Sequence, residues 1–518
     1  MPALPALLDF INDPLDTVAG AMITEQELEQ KLLAACNRLR GPVDPTDYKA
    51  YIFPLLFLKR ISDAWDWEFQ QALEGFDGDE ELAKHPDNFR FVLPDKCHWD
   101  DVRKLTENVG AGLQKILQRI EQANPETLAG IFGDVQWSNK DKLPEHVLVG
   151  VIDEFSSLRL GPDSTPGDIL GASYEYLLKY FADESGKKAG EFFTPRPVVR
   201  LLTRILDPKE GESGHDPACG SGGILVEMVN EVREAGGDAR TLRLSGQEVS
   251  LTTAAIARMN LFLHDIEDFR IRRGDTLREP RFRTAEGALE QYDLVIANPP
   301  FSLSAWGRES WADDPYGRSR FGVPPATKGD YAFVEHMLAV MKGDSGRLAV
   351  VMPQGVLFRS GDEKEIRKSI LEAGLIEAVI GLPSNLFYNT GLPACILVCR
   401  ATVPSEREGK ILFIDASARF IKQGNRNLMR EEDIEAVVAT YHTGADADGD
   451  GGVGCALVGL AEIAENGWDM SIGRYVRNAQ AQAISVSEAL ISYLESREAL
   501  RQAEEVLDKH LEEAGFGV

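Results

Sequence analysis

An amide and two prolines follow an apolar run at residues 293–301, which read DLVIANPPF. The run predicts a buried strand that ends at Asn298, the position at which α/β folds bind their ligands. Pro299 and Pro300 restrict the backbone and direct a carbonyl outward, and Phe301 adds an aromatic face. Two acceptors held side by side are suited to grip both N–H bonds of an amine.

An exocyclic amine on a nucleobase is a poor nucleophile because its lone pair is delocalised into the ring. The Asn298 side-chain oxygen and the Pro299 carbonyl would turn that lone pair toward a methyl donor, while Phe301 stacks on a base swung out of the duplex. Catalysis would then rest on positioning more than on a strong base. A plain turn is the alternative interpretation.

Three acids end successive predicted strands upstream of this segment. Asp216 opens DPACGSGG, Glu248 closes RLSGQE, and Asp275 follows FRIRRG. An acid after the second strand suits a ribose diol, and one after the third suits an adenine amine. The glycines let the backbone approach a ligand at a helix start. Since no GxxxxGK[ST] loop is present, we expect an adenosine ligand without phosphate.

The segment EFFTPRPVV, residues 191–199, comes before these strands. Thr194 predicts a helix N-cap and Pro195 a first helical residue. Such a helix start can receive a carboxylate, for example the methionine end of a nucleoside cofactor. An ordinary capped helix is the alternative.

The surrounding elements predict an α/β fold with a mostly parallel sheet. Short apolar runs such as YDLVIA, GRLAVVMP, IEAVIGLP, ACILVC and ILFIDAS alternate with helical stretches after residue 191. Upstream, TEQE at 24–27 is a capping box, and a buried helix is expected to bend or begin at Pro54. We therefore predict a helical domain at 1–160, an α/β domain at 161–416, an extension at 417–479 and a helix at 480–518.

The last helix shows a seven-residue apolar repeat. Val486, Tyr493, Leu500 and Leu507 form one stripe. The pattern fits equally a helix packed on its own domain and one that docks a partner.

Composition narrows the functional classes. The 518 residues include 55 Lys and Arg against 83 Asp and Glu, a net charge of −28. Such a surface repels free nucleic acid. Six cysteines show no paired framework, which predicts a reducing, cytoplasmic setting. Cys395 and Cys399 share one strand face, so a core role is expected and no metal site. No apolar run is long enough for a membrane span.

The motifs EFFTPRP, DPACGSGG, GQE, GDT and ANPPF resemble, in this order, those of amino-methylating DNA adenine methyltransferases. With the helical N-terminal domain and GLPSNLFYNTGLPACILV, the chain resembles the modification subunit of type I restriction–modification systems. The resemblance implies a Rossmann-like, seven-stranded S-adenosylmethionine-dependent methyltransferase sheet and methyl transfer to adenine N6. It also implies assembly with a specificity subunit, two copies of this chain for each, and with a restriction subunit in the full complex.

The resemblance assigns roles to particular residues. The target base would be held by Asn298, Pro299, Pro300 and Phe301, with Phe387 on its other face; a core role for Phe387 is equally compatible. S-adenosylmethionine would lie against Glu191, Phe192, Phe193, Thr194, Pro195, Arg196, Asp216, Ala218, Gly220, Ser221, Gly222, Gly223, Glu248 and Asp275.

Three other functions fit parts of the pattern. A stand-alone adenine methyltransferase must hold DNA by itself, which the acidity disfavours. A protein glutamine methyltransferase also uses an Asn-Pro-Pro-aromatic motif but leaves the helical domain unexplained. A catalytically silent scaffold does not require the intact NPPF. The loop 301–322, with Trp306, Trp311 and several arginines, is expected to be mobile and near DNA, or else packed on the surface.

Overall fold

The computed structural model describes residues 22–185, 194–387, 391–424, 426–446 and 453–476, with single helical residues between 490 and 507. Its first part is helical: α1 (Glu25–Leu39), α2 (Tyr48–Gly75), α3 (Glu80–Ala83), α4 (Trp99–Arg103), α5 (Val109–Ala123), α6 (Glu145–Ser156) and α7 (Gly167–Ser185). The capping box before α1 forms, because the Thr24 hydroxyl accepts from the Glu27 N–H while the Glu27 carboxylate accepts from the Thr24 N–H.

Pro54 lies inside α2, so the expectation that this helix begins at Pro54 is wrong. A 3-10 turn at Pro45–Asp47, capped by the Asp44 side chain, leads directly into Tyr48 and starts the helix earlier. The helical core also continues beyond residue 160. Its buried cluster includes α7 residues such as Tyr174, whose hydroxyl donates to the Ile256 carbonyl.

The second part is a sheet of nine strands flanked by helices. The strands are β1 (Ser213–Asp216), β2 (Arg243–Glu248), β3 (Phe269–Arg273), β4 (Leu294–Ala297), β5 (Arg347–Pro353), β6 (Ile376–Gly381), β7 (Ala394–Arg400), β8 (Lys410–Asp415) and β11 (Gly454–Gly459). Two short strands, β9 (Ile421–Gln423) and β10 (Arg426–Leu428), pair separately. All five quoted apolar runs form strands of this sheet.

The order across the sheet is β11-β8-β6-β7-β5-β4-β1-β2-β3. Strands β1 to β5 are parallel, and β7 runs antiparallel between β5 and β6. These are the seven expected strands. Two more extend the sheet, since the apolar β8 pairs parallel with β6 and is covered in turn by β11. The strand order reverses between β1 and β4, which is where such sheets bind ligands.

The helices of this part are α8 (Arg196–Leu206), α9 (Gly223–Glu234), α10 (Leu251–Leu263), α11 (Asp330–Val340), α12 (Asp362–Glu372), α13 (Glu431–Thr443), α14 (Leu460–Glu465) and α15 (Ile472–Tyr475). Two of the buried clusters lie on the two faces of the sheet, because alternate residues of the same strands belong to each. No described helix is long and apolar enough to cross a membrane.

The loop 301–322 is packed, so the expectation of a mobile loop is wrong. Trp306 and Trp311 are each 1% exposed and meet edge to face, with ring centroids 5.2 Å apart. Arg318 is 3% exposed, lies over the Trp311 ring and pairs with the Asp314 carboxylate at 2.6 Å. It also donates to the carbonyls of Thr276 and Leu277. The two tryptophans and Arg318 thus fill the interior of the loop, whereas Arg308 and Arg320 are exposed.

Replacement of Arg318 tests how far this loop depends on its buried pair. Arg318→Met leaves the Asp314 carboxylate buried without its cation, and breaking a buried pair from one side costs about 3–5 kcal/mol. We expect urea unfolding at pH 7 to show a loss of this size. The control is Arg320→Met, which removes an exposed cation over the Phe321 ring, worth about 0.5–1 kcal/mol. Equal losses in the two variants would contradict the argument.

Candidate functional site

The strand-end residues lie at one edge of the sheet. Asp216 ends β1, Glu248 ends β2, Asp275 lies two residues beyond β3, and Asn298 directly follows β4. Because these strands are parallel, their carboxyl ends share an edge. A cavity of about 450 Å³ opens there and is lined by Glu248, Asp275, Asn298 and Pro300. A smaller cavity shares Ala218, Gly220, Ser221 and Asn298 with it and adds Thr194, Arg196, Asp216 and Gly223.

The glycine-rich turn between β1 and α9 forms one wall of both cavities. Gly220 has a φ of +52° and donates its N–H to the Glu248 carboxylate at 3.2 Å. A Cβ at Gly220 would meet nothing within 4 Å. Gly222 has a φ of +80°, and its Cβ would instead face Ala257 of α10. Gly220 therefore leaves room at the cavity, whereas Gly222 shapes the turn.

Asp216 is buried in this wall with half of its hydrogen-bonding capacity unused. One carboxylate oxygen, Oδ1, accepts from the Ala218 N–H at 2.9 Å, and Oδ2 has no partner among the described residues. Burial raises the pKa of Asp216 to about 8; the Ala218 hydrogen bond opposes this rise and the neighbouring Glu248 charge adds to it. The site therefore holds a neutral carboxyl group ready for a polar or cationic partner.

Glu248 and Asp275 are held by backbone N–H groups. The Glu248 carboxylate accepts from Ser250 and Gly220, and these bonds oppose the rise in its pKa that burial causes. Asp275 accepts from the N–H groups of Leu277 and Arg278. It also pairs with the Arg278 guanidinium at 2.7 Å. Both acids are thus fixed in position before any ligand arrives.

Asn298 is held at one end of its amide only. Its Nδ2 donates to the Thr194 hydroxyl at 2.9 Å, whereas its buried Oδ1 has no partner in the described structure. The prediction that Thr194 caps α8 is wrong by one residue: Pro195 is the N-cap, the helix begins at Arg196, and no side chain caps it. With Thr194 as the cap, the third helical residue would be Pro197, which has no N–H to donate, and the Thr194 hydroxyl accepts from Asn298 instead. Residues 191–193, the rest of the predicted cofactor segment, lie outside the described residues.

The two aromatic residues expected to hold a base touch each other. The Phe301 and Phe387 ring centroids are 5.9 Å apart, with the planes at 70°. A base sandwiched between two rings needs them roughly parallel, so one ring must turn before both can stack. Phe387 is 4% exposed and belongs to the buried cluster on one face of the sheet. Pro299 is buried and Pro300 lines the larger cavity.

Two residues of the site were missed from the sequence. Lys49, from α2 of the helical part, lines the larger cavity; burial lowers its pKa, and the Glu248 charge opposes that effect. Asn260 of α10 donates to the Ser221 carbonyl at 2.9 Å and leaves its buried Oδ1 without a described partner. The sequence could have indicated Asn260, because it is an amide within the otherwise apolar run AAIARMNLFL. No sequence pattern indicated Lys49. Within the described part of the chain, no His, Cys, Asp or Glu cluster is arranged to hold a metal.

Comparisons with known proteins identify the family of this chain. A family model described as "N-6 DNA Methylase" matches residues 165–483, and one described as "HsdM N-terminal domain" matches 28–155. The MjaVII methylase subunit of Methanocaldococcus jannaschii, a type I restriction enzyme subunit, is 33% identical over 88% of this chain and 78% of its own. The HindI methylase subunit of Haemophilus influenzae is 32% identical over 74% and 83%.

A solved structure extends the comparison to three dimensions. It is the methyltransferase subunit of a type I restriction–modification system from Streptococcus thermophilus. That protein is 31% identical, with a TM-score of 0.77, and the match covers 88% of this chain and all of the other. The present chain belongs to the N-6 DNA methylase family, among the type I methylase subunits. Its activity is methylation of DNA at adenine N6, as one subunit of a type I enzyme.

The raised pKa of Asp216 gives a pH-dependent stability that can be measured. A carboxyl group whose pKa is raised in the folded state favours folding only while it is protonated. This contribution to stability is complete below the ordinary pKa near 4, and it is lost as the pH rises toward about 8. The loss is up to about 1.4 kcal/mol per pH unit. Asp216→Asn removes the titrating group and keeps the shape of the side chain. From pH 5 to 8, the free energy of unfolding of this variant should therefore rise relative to that of the wild type. A constant difference in urea unfolding across that range would show that Asp216 does not titrate there.

Proposed function

We propose that the two joined cavities bind S-adenosylmethionine and the target adenine side by side. The observation that carries this proposal is that three residues lining one cavity, Asp216, Asn260 and Asn298, each have a buried oxygen without a described partner. Buried polar atoms without a partner are rare in native structures. Three of them at one cavity favour polar ligands that bind there.

The residues present fit this cofactor. Glu248 offers a fixed acceptor for a ribose diol, and Asp275 offers one for an adenine amine. Asp216 Oδ2 becomes an acceptor for the cofactor's amino group once the carboxyl group ionises, which a nearby cation favours. At the start of α8, the Arg196 N–H has no described partner and suits the cofactor's carboxylate, whereas Pro197 has no N–H and the next two N–H groups donate to the Pro195 carbonyl. A volume of about 450 Å³ lies within the range of sites for ligands of this size.

The bound cofactor would supply a methyl group on a positively charged sulfur. The protein's part is to aim the acceptor. Because the Asn298 Nδ2 donates to the Thr194 hydroxyl, the oxygen is the end of the amide left to accept one N–H of the adenine amine. The Pro299 carbonyl would accept the other. With both N–H bonds held, the nitrogen becomes more tetrahedral. Its lone pair is then less delocalised into the ring and faces the methyl group, which is catalysis by positioning.

Removal of the Asn298 amide should separate catalysis from cofactor binding. We expect Asn298→Ala to lower methyl transfer in the assembled enzyme by at least about 100-fold, or about 2.7 kcal/mol, as measured by transfer of labelled methyl groups to DNA. Binding of S-adenosylmethionine, measured by isothermal titration, should change less than threefold. Near-normal transfer would contradict the role of Asn298.

The complementary variant, Gly220→Asp, places a charged side chain at the cavity and should weaken cofactor binding at least tenfold. Its matched control is Gly211→Asp. Gly211 also has a positive φ and open space around its Cβ, but it lies in the turn before β1, away from both cavities. If the two variants bind the cofactor equally, the cavity is not the cofactor site.

The other candidate functions explain less of the chain. A stand-alone methyltransferase and a protein glutamine methyltransferase both leave the match of residues 28–155 to a type I domain without a role. A silent scaffold has no need for an Asn298 oxygen that is buried and unsatisfied, because such an atom destabilises the fold unless a ligand uses it.

The partners are proposed in the same way. We infer that this chain assembles with a specificity subunit, two copies to each, and that a restriction subunit joins the full complex. The net charge of −28 supports this division, since the isolated chain should bind DNA weakly and without sequence preference. Base recognition then falls to the partner.

The helical residues between 490 and 507 are our candidate for the docking surface. The described apolar side chains there are more than half exposed: Leu490, Tyr493, Leu494, Leu500 and Leu507. Val486, the first member of the predicted stripe, lies outside the described residues. We commit to the specificity subunit as the occupant, because an acidic chain needs that partner to hold DNA.

Polar substitution on this helix distinguishes docking from internal packing. Leu500→Ser with Leu507→Ser should abolish co-purification with the specificity subunit and leave the melting temperature within about 1 °C, because both side chains are already exposed. The matched control replaces the exposed acids of the same segment, Glu498→Ser with Glu504→Ser, and should keep the complex. A fall of several degrees with the complex intact would show that the stripe packs within this chain.

A further inference from the structure

Positive charge is concentrated on β3 and the segment that follows it. Residues 269–284 read FRIRRGDTLREPRFRT, with six arginines against two acids, a local charge of +4 in a chain of net charge −28. β3 is the last strand in the sheet order, so one of its edges is unpaired in the described sheet. Its two apolar residues are half-buried, whereas Arg270, Arg272 and Arg273 are exposed.

Half of these arginines form no direct ion pair with a described residue, although the Arg270 hydrogen bond and, to a smaller extent, the Arg272 charge lower the pKa of Glu290. Three form ion pairs at 2.6–2.8 Å: Arg270 with Glu290, Arg278 with Asp275, and Arg281 with Glu279. The other three, Arg272, Arg273 and Arg283, pair with no described carboxylate. We call these three the arginine ridge. In a protein with an excess of acidic side chains, arginines that form no ion pair indicate a surface suited to bind an anionic ligand.

The ridge is held in place by neutral contacts. The Arg272 guanidinium lies 5.2 Å from the centre of the Phe282 ring and donates to the Arg281 carbonyl at 2.9 Å. Arg283 donates to the Tyr316 hydroxyl at 3.3 Å. Such contacts orient a guanidinium and leave its charge free, which reduces the entropy cost when it meets an anion.

The ridge also adjoins the proposed site. Arg273 reaches the Val249 carbonyl at 3.5 Å, and Val249 lines the larger cavity together with Arg278 and Asn298. Arg273 thus lies at the rim of a site for a flipped base, and the other two guanidinium groups belong to the same short segment. Several cations on one segment match the repeating anions of a nucleic-acid strand. The alternative explanation is that charged side chains on an edge strand prevent aggregation through strand pairing. That role does not require a binding site nearby.

We propose that the arginine ridge contacts the phosphate backbone of the DNA duplex beside the target adenine. This inference rests on the proposed function, because it needs DNA to enter the cavity that holds Asn298. It gives the acidic methylase subunit a direct share of the phosphate contacts, alongside those of its partner.

Salt dependence of DNA binding tests the ridge. In the co-purified assembly, Arg272→Gln, Arg273→Gln and Arg283→Gln together should weaken binding of a cognate duplex at least tenfold at physiological salt. The slope of log K against log salt should fall by about 0.9 for each phosphate that the variant no longer neutralises, or up to about 2.7. The control changes the charge equally with Arg103→Gln, Arg119→Gln and Arg240→Gln, exposed arginines outside both cavities, and should leave the slope nearly unchanged.

Each other result has a defined meaning. A slope equal to that of the control overturns the proposal and leaves edge protection as the role. Loss of co-purification overturns it in favour of a protein interface. Titration with S-adenosylmethionine separates this test from the proposed function, because the wild type and the triple variant should bind the cofactor equally. If the triple variant loses cofactor binding, each single variant should still lower the slope by about 0.9, and its failure to do so counts against the ridge.

Discussion

The hydrogen bond from Asn298 to the Thr194 hydroxyl is the contact on which the proposed chemistry depends. A free amide can present either its oxygen or its nitrogen to a ligand. With Nδ2 occupied, the oxygen is the end of the amide left to accept from an amine. The same bond ties Asn298, after β4, to Thr194, just before α8. In the proposed function it would link the position of the methyl acceptor to that of the cofactor.

Unsatisfied buried polar groups at the site lower the stability of the fold. Asp216 is 1% exposed with one oxygen unsatisfied, and Asn298 and Asn260 leave further buried oxygens unpaired in the described structure. Each such group lowers stability by about 1–3 kcal/mol. A cofactor that satisfies them recovers part of that loss and stabilises the folded state in proportion to its concentration. Sites of this kind are less stable than the rest of the core for a functional reason.

Much of the fold could be predicted because its signals are local. Apolar runs of four to seven residues form strands. The TEQE box starts a helix through hydrogen bonds between Thr24 and Glu27, which are three residues apart. The strand-end acids follow from the same runs. The errors concern longer distances. Thr194 does not cap its helix, and the partner of its hydroxyl, Asn298, lies 104 residues along the chain. Trp306 and Trp311 are buried by a cluster that no local pattern announces.

Lys49 and its neighbours have a consequence for how the protein is made. The larger cavity is lined by residues 45, 46 and 49 and by α7 of the helical part, and by residues that follow β1, β2, β3 and β4. Residues 45–49 are synthesised long before those of the sheet, and contacts of such large sequence separation form late. The pocket therefore does not exist until both halves have folded against each other. If a nascent or truncated chain binds the cofactor, the two halves have therefore already packed against each other. Folding of one half alone would not produce binding.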